Sequence, residues 1–319
     1  MKIFGICIFL VCGLLILSCG KNKDELKSKS DVEVGEDSSS GGISAGGVQF
    51  EIKYDKPRQI YKIESVDLDN NGKDEVVVLS VVKEESELDF TSFYNFDMIQ
   101  VFTLDTTGSN YTKILSDTVD YSVSCSFRDL RNDGYKQVIV KTNTGGNNVV
   151  ASAGMVVYNM NEKDSIKLIK RIEYGDPEII DINKDGVNEI VVMDYYWGIL
   201  THEDVINFVK DIYVMKNNDL ERRNSYYKDF FDEKINEAKV KYKNTKQKIQ
   251  SGVKISPTEY PLYSEAVEII VNYWSKDDGI NLKKFWDEEL SFLKNNLPED
   301  QFIDIQNFVL NVIPIAKNI

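Results

Sequence analysis

The stretch Asp67-Leu68-Asp69-Asn70-Asn71-Gly72-Lys73-Asp74-Glu75 constrains this chain more than any other. Carboxylate or amide oxygens stand at positions one, three, five and nine, and a glycine at six lets the backbone turn back so that those oxygens converge. Converging hard oxygens suit a hard divalent cation, calcium first. The stretch runs straight into Val76-Val77-Val78-Leu79, so the whole is expected to be a cation loop opening a β-hairpin.

The arrangement recurs. Asp181-Ile182-Asn183-Lys184-Asp185-Gly186-Val187-Asn188-Glu189 precedes Ile190-Val191-Val192-Met193, and a fainter copy, Asp129-Leu130-Arg131-Asn132-Asp133-Gly134-Tyr135-Lys136-Gln137, precedes Val138-Ile139-Val140. The copies begin 62 and 52 residues apart, room for about four strands with their turns. After each comes the same order: a strand, a long excursion, a second strand, a tight turn and a third strand. The middle copy departs, with Arg131 at position three and Gln137 at nine. A guanidinium beside Asp129 and Asp133 can stand in for the ion, so no calcium is expected there. An EF-hand is disfavoured, because Val78 and Val192 stand in strands where it would need its twelfth-position Glu.

These repeats resemble FG-GAP or VCBS-type repeats, the blades of integrin-like β-propellers, over roughly residues 48–227. The resemblance implies a β-propeller-like domain with metal positions on Asp67, Asp69, Asn71 and Glu75 and the carbonyl of Lys73. In the third loop they fall on Asp181, Asn183, Asp185 and Glu189 and the carbonyl of Val187. Propellers normally need four or more blades to close, and three repeats are visible. Either a divergent fourth blade is present, or the sheets form an open arc whose ends are covered by the C-terminal region or a second copy.

Residues 1–18 carry Lys2 and an apolar run from Ile3 to Leu17, too short to span a bilayer as a helix and expected to be a secretion signal. Ile16-Leu17-Ser18-Cys19 resembles the lipobox of bacterial lipoproteins, with Ile16 where Leu is more usual. That resemblance implies cleavage before Cys19, a lipid on its sulfur and a membrane-anchored protein of the cell envelope, facing the periplasm or the cell surface. Residues 19–47, almost all polar or glycine, bury too little to offset their ordering entropy and are expected to be a flexible tether. Cys7 and Cys12 would leave with the signal, so Cys125 would have no disulfide partner once Cys19 is blocked.

With 52 acidic and 38 basic residues the formal charge is −14, which disfavours nucleic acid and suits divalent cations or basic partners. From 228 to 319 the period becomes helical. Phe231, Ile235, Ala238, Tyr242, Thr245 and Ile249 form one stripe, and three more follow, through Leu262 to Tyr273, Leu282 to Leu293 and Phe302 to Ile313. Four such stripes predict a compact α-helical domain.

Two classes of function are open. In an up-and-down unit the long excursions share the face opposite the acidic loops, which would gather Phe90, Phe93, Tyr94 and Phe96 with Tyr195, Tyr196 and Trp197 into a surface for a protein, peptide or glycan. The alternative is that these aromatics pack under the helical domain or within the sheet. The first reading is a non-catalytic, calcium-stabilised binding lipoprotein; the second is an envelope-associated hydrolase with an acidic cleft between the β and helical domains. For the second, His202 is the sole histidine and has no nucleophile motif beside it. Cys125 fits a small core residue, and Asp277-Asp278 a solvated helix end. No phosphate loop, dinucleotide fingerprint or zinc spacing occurs.

Overall fold

The fold is taken from a computed structural model, which describes residues 40–45, 48–53, 58–82, 94–161, 165–196, 206–253 and 261–313. The apolar runs after the three loops become strands β4 (Glu75–Val82), β7 (Gln137–Asn143) and β11 (Glu189–Tyr196). Each is the second strand of a four-strand antiparallel unit. The first unit is β3 (Arg58–Val66), β4, β5 (Phe96–Leu104) and the start of β6 (Tyr111–Arg128). The second is the end of β6, β7, β8 (Ala153–Asn161) and β9 (Ser165–Ile172). The third is β10 (Glu178–Ile180), β11, β12 (Ile206–Lys216) and β13 (Asp219–Arg222), a separate four-stranded sheet. Every acidic loop joins strands one and two of its unit, and the long excursions join two and three.

Units one and two form one seven-stranded hydrogen-bonded sheet because β6 serves both. Its first part pairs with β5 and its last part, from Ser122, with β7. At the junction Tyr121 has φ 59°, and the register slips between Ser122 and Ser124. The sheet curls there enough for loops that lie three strands apart to touch: the Lys136 N–H donates to the Leu68 carbonyl at 2.8 Å.

The second strand of every unit is apolar without alternation because both its faces are covered, and period two separates the faces. Val77 and Leu79 share a core with Val138, Val140, Val156 and Tyr158 of unit two. The other face of β7 gives Ile139, which packs with Met155, Val157 and, from unit three, Ile190, Val192 and Met215. The far face of β11 gives Val191, which meets Val209, Ile212, Tyr227 and Phe231. At the opposite end Val76, Val78 and Phe102 are covered by Ile52 of β2 (Val48–Lys53), which pairs with β1 (Ser40–Ala45). The units therefore stack in a row, with a hairpin over one end and helices over the other. Among the described residues no closed barrel or propeller forms, and no helix is long and apolar enough to cross a membrane.

The hairpin corrects one expectation: β1 lies inside the segment 19–47 assigned to a tether. Its Ser-Gly-Gly-Ile-Ser-Ala sequence has little apolar content, with Ile43 its one large apolar residue, and pairing of its backbone with β2 is a contribution that composition does not display. Residues 1–39, with Cys19, lie outside the described residues.

A single turn, α1 (Val149–Ser152), sits in the second excursion, and the C-terminal helices are α2 (Lys228–Gln250), α3 (Pro261–Ser275), α4 (Gly279–Asn296) and α5 (Glu299–Val312). Their buried faces are the expected stripes, with Phe231, Ile235, Ala238, Tyr242 and Thr245 on α2. α3 is apolar nearly all round because it lies between the other helices and β12. Polar ties fix this seat. Asn224, 1 % exposed, accepts from Ile212 N–H and donates from Nδ2 to the carbonyls of Lys210 and Ser275, at 2.8, 2.7 and 2.7 Å. Arg222 grips both carboxylate oxygens of Asp277 at 3.0 and 2.9 Å and reaches Asp211 at 2.5 Å. Asp277 is thus an anchor, and Asp278 caps α4 by accepting from Asn281 N–H. Between units two and three, Gly175 takes φ 106° and its N–H donates to the Val150 carbonyl; a Cβ there would meet Val192 Cγ1 at 2.4 Å and the Met193 carbonyl at 2.7 Å.

Candidate functional site

The three acidic loops share one backbone path. Position four is left-handed in each, Asn70, Asn132 and Lys184 at φ 57, 57 and 62°, and so is the glycine at six, at 82, 91 and 87°. This double reversal turns backbone N–H groups inward, where the first aspartate collects them. Asp67 accepts from Asn71 and Gly72, and Asp181 from Asp185 and Gly186. Asp129 accepts from Arg131 and Gly134. The neck is closed the same way three times: the position-two N–H donates to the position-nine side chain, Leu68 to Glu75, Leu130 to Gln137 and Ile182 to Glu189, at 2.9, 2.9 and 2.8 Å.

Positions three and five distinguish the loops. In the first, Asn71 Nδ2 donates to Asp69 Oδ2; in the third the order is exchanged, and Asn183 Nδ2 donates to Asp185 Oδ2. In the second, the pair is ionic, Arg131 Nε lying 2.8 Å from Asp133 Oδ2, and Arg131 also reaches Asn218 of unit three. Of the two aspartates expected beside it, the guanidinium therefore pairs with Asp133, while Asp129 is held by backbone N–H groups.

The carboxylates of Asp67, Asp69 and Glu75 each offer an oxygen, all within 4.8 Å of one another. Glu75 is buried, and its other oxygen accepts from Thr103 Oγ1 at 3.1 Å. Burial, helped by the nearby charges of Asp69 and Asp67, pushes its carboxyl up to about 7 against the lowering pull of the Leu68 N–H and Thr103. Glu189 is raised as well, by burial first. Three converging carboxylates, one of them buried, are a donor set that a hard divalent cation fits. Asp67, Asp69, Asn71 and Glu75 with the Lys73 carbonyl would hold it in the first loop; among the described residues the carboxylates of Asp181, Asp185 and Glu189 are not gathered in that way, so the expected third set, with Asn183 and the Val187 carbonyl, shares the loop path without the convergence.

The loops are stapled in series through position eight, which sequence reasoning passed over. Lys136 Nζ donates to the Asp67 carbonyl at 3.3 Å, and Asn188 Nδ2 to the Asp129 carbonyl at 3.3 Å. Asp74, with no loop before it, is exposed. A polar donor at the same place in the two later repeats was the available signal. Tyr227, whose hydroxyl donates to Glu189 Oε1 at 2.9 Å, had none, for it follows the repeats.

Of the two readings of the aromatic sets, Phe96 and Tyr196 follow the one in which they pack within the sheet and under the helical domain. Phe96 is fully buried in the core shared by units one and two. Tyr196 is buried under the helical domain, edge-on to Phe308 at 5.2 Å and donating to Asp304 at 2.7 Å. Both follow the strand pattern inward, since each lies within a strand rather than on the excursion beside it. Tyr94 is half-buried against Tyr121, and Tyr195 is half-buried in β11. Phe90, Phe93, Trp197 and His202 lie outside the described residues.

A cleft of about 370 Å³ does lie between unit three and helices α2 and α3. Val191, Met193, Phe208 and Val209 form its floor, and Glu178, Asp181, Lys234 and Glu268 stand around it. No protein-family model matches the chain, and no curated protein is significantly similar to it.

Proposed function

We propose that this chain is a non-catalytic binding module of the cell envelope: a lipid on Cys19, an open propeller-like arc of three blades stabilised by calcium in its first and third loops, and a helical domain closing one end. The supporting observation is the first loop, where three carboxylates converge beside an internal turn that needs two left-handed residues. Such a cluster is self-repelling without a cation, whereas the middle loop carries its own in Arg131. Calcium then serves the fold, and recognition is left to surfaces between the units and the helices. The test is to immobilise the full-length protein in detergent and probe it with peptide and glycan arrays in calcium and in chelator. Saturable binding of one class in calcium, weakened by chelator, is expected; a protein that retains nothing in either condition is not a binding module.

A further inference from the structure

We infer that the cleft between β10–β12 and helices α2 and α3 is the binding surface of that module, and that it takes an extended peptide pairing apolar side chains with a cationic one. The inference rests on the binding reading above and assigns its site and ligand class.

Three observations converge. The cleft is of ligand size, about 370 Å³, and its floor of Phe208, Val209 and Val191 is apolar, as small-molecule and peptide pockets are. Its wall contains an orphaned acceptor. Asn272, 2 % exposed, donates from Nδ2 to the Glu268 carbonyl of its own helix, while its Oδ1 has no hydrogen-bond partner. A buried amide oxygen left in that state is unfavourable, and a donor brought by a ligand satisfies it. Finally, the charge around the cleft is negative. Glu178 is exposed, and Glu268 is only loosely paired, 3.7 Å from Lys241. Among the described lining residues the one base is Lys234, which lies 5.3 Å from the centre of the Phe230 ring. An ion in the third loop would occupy Asp181, which still leaves two acids against one base. The wall on that side is β10, the edge strand of its sheet, so an extended chain can run along it.

The test uses full-length protein in calcium and two fluorescein-labelled pentapeptides, Gly-Leu-Arg-Leu-Gly and Gly-Leu-Glu-Leu-Gly. Fluorescence anisotropy should show saturable binding of the arginine peptide and at least tenfold weaker binding of the glutamate one. Glu178→Lys with Glu268→Lys should weaken the arginine peptide about tenfold or more, the loss typical of a charge-assisted contact, with an unchanged melting curve. Asn272→Asp, close in size but charged, should shift affinity independently of that pair. If the arginine peptide binds and the double variant binds it equally well, the site lies elsewhere and the assignment falls while the module stands. If neither peptide binds but the arrays yield a glycan, the ligand class is wrong; if the arrays also yield nothing, both readings fail together.

Discussion

The Tyr227 hydroxyl donates to Glu189 Oε1 at 2.9 Å, so the residue that opens the helical region also completes the neck of the third acidic loop. Glu189 spends its other oxygen on the Ile182 N–H, and burial, followed by the Glu189 hydrogen bond, keeps the Tyr227 phenol protonated well above its ordinary range. Tyr227→Phe leaves a buried carboxylate oxygen short of a partner. It should cost about 1–3 kcal/mol in urea unfolding, more than a solvent-facing Tyr→Phe change.

Calcium should raise the melting temperature by mass action, adding about 2.7 kcal/mol of stability for each bound ion at a hundredfold excess over Kd. Titration calorimetry should count two ions. Asp67→Ala with Asp181→Ala should abolish both heat and shift. Arg131→Ala should lower stability yet leave the stoichiometry at two, since it strips Asp133 of its cation without creating a strong site. A third ion in the wild type would refute the role given to Arg131.

Cys125 should be inert in the folded protein. Burial, with a smaller push from Glu64, raises its thiol to about 12. At pH 8 that leaves about one thiolate in ten thousand, and the thiolate is the reactive form. Iodoacetamide followed by peptide mapping should find Cys125 unmodified in buffer and labelled in denaturant; equal labelling would place it at the surface.

Asp278→Ala should cost about 1 kcal/mol at pH 7 through loss of the α4 cap. Burial works against the Asp278 carboxylate, but the Asn281 side-chain and backbone donors and the Lys276 ammonium outweigh it and hold its pKa below the usual range. A depressed carboxyl contributes stability above its unfolded pKa, about 4, and loses it as pH falls through the lower folded value. The gap between variant and wild type should therefore narrow on acidification. A gap constant down to the acid limit of folding would assign the effect to helix propensity alone.

The strand order of each repeat was legible because Val76 to Leu79, Val138 to Val140 and Ile190 to Met193 are apolar without alternation, and both faces of each proved to be covered. The helical stripes were legible for the same reason at a different period. What covers the first unit was not. β2 is seated by Ile52 against Val76, Val78 and Phe102, while β1 is added to it by backbone pairing, which a Ser/Gly-rich strand does not announce in composition. Phe96 and Tyr196 stand between two readings in the sequence because an aromatic cluster looks the same whether it ends a strand or begins a loop. Direction of a side chain is a property of register, which a single strand does not carry by itself.

An 18-residue β6 that closes one unit and opens the next makes the repeat of the sequence different from the unit of folding. No cut between the first and second repeats leaves a complete sheet on either side, since Tyr111 to Ser122 and Ser122 to Arg128 belong to one continuous strand. The break between the repeats' sheets falls between Ile172 and Glu178, where Gly175 links the seven-stranded sheet to the four-stranded one. Amide exchange should accordingly resolve two cooperative blocks rather than three: residues 58–172 opening together, and the third unit opening with the helices that Arg222 and Asn224 tie to it.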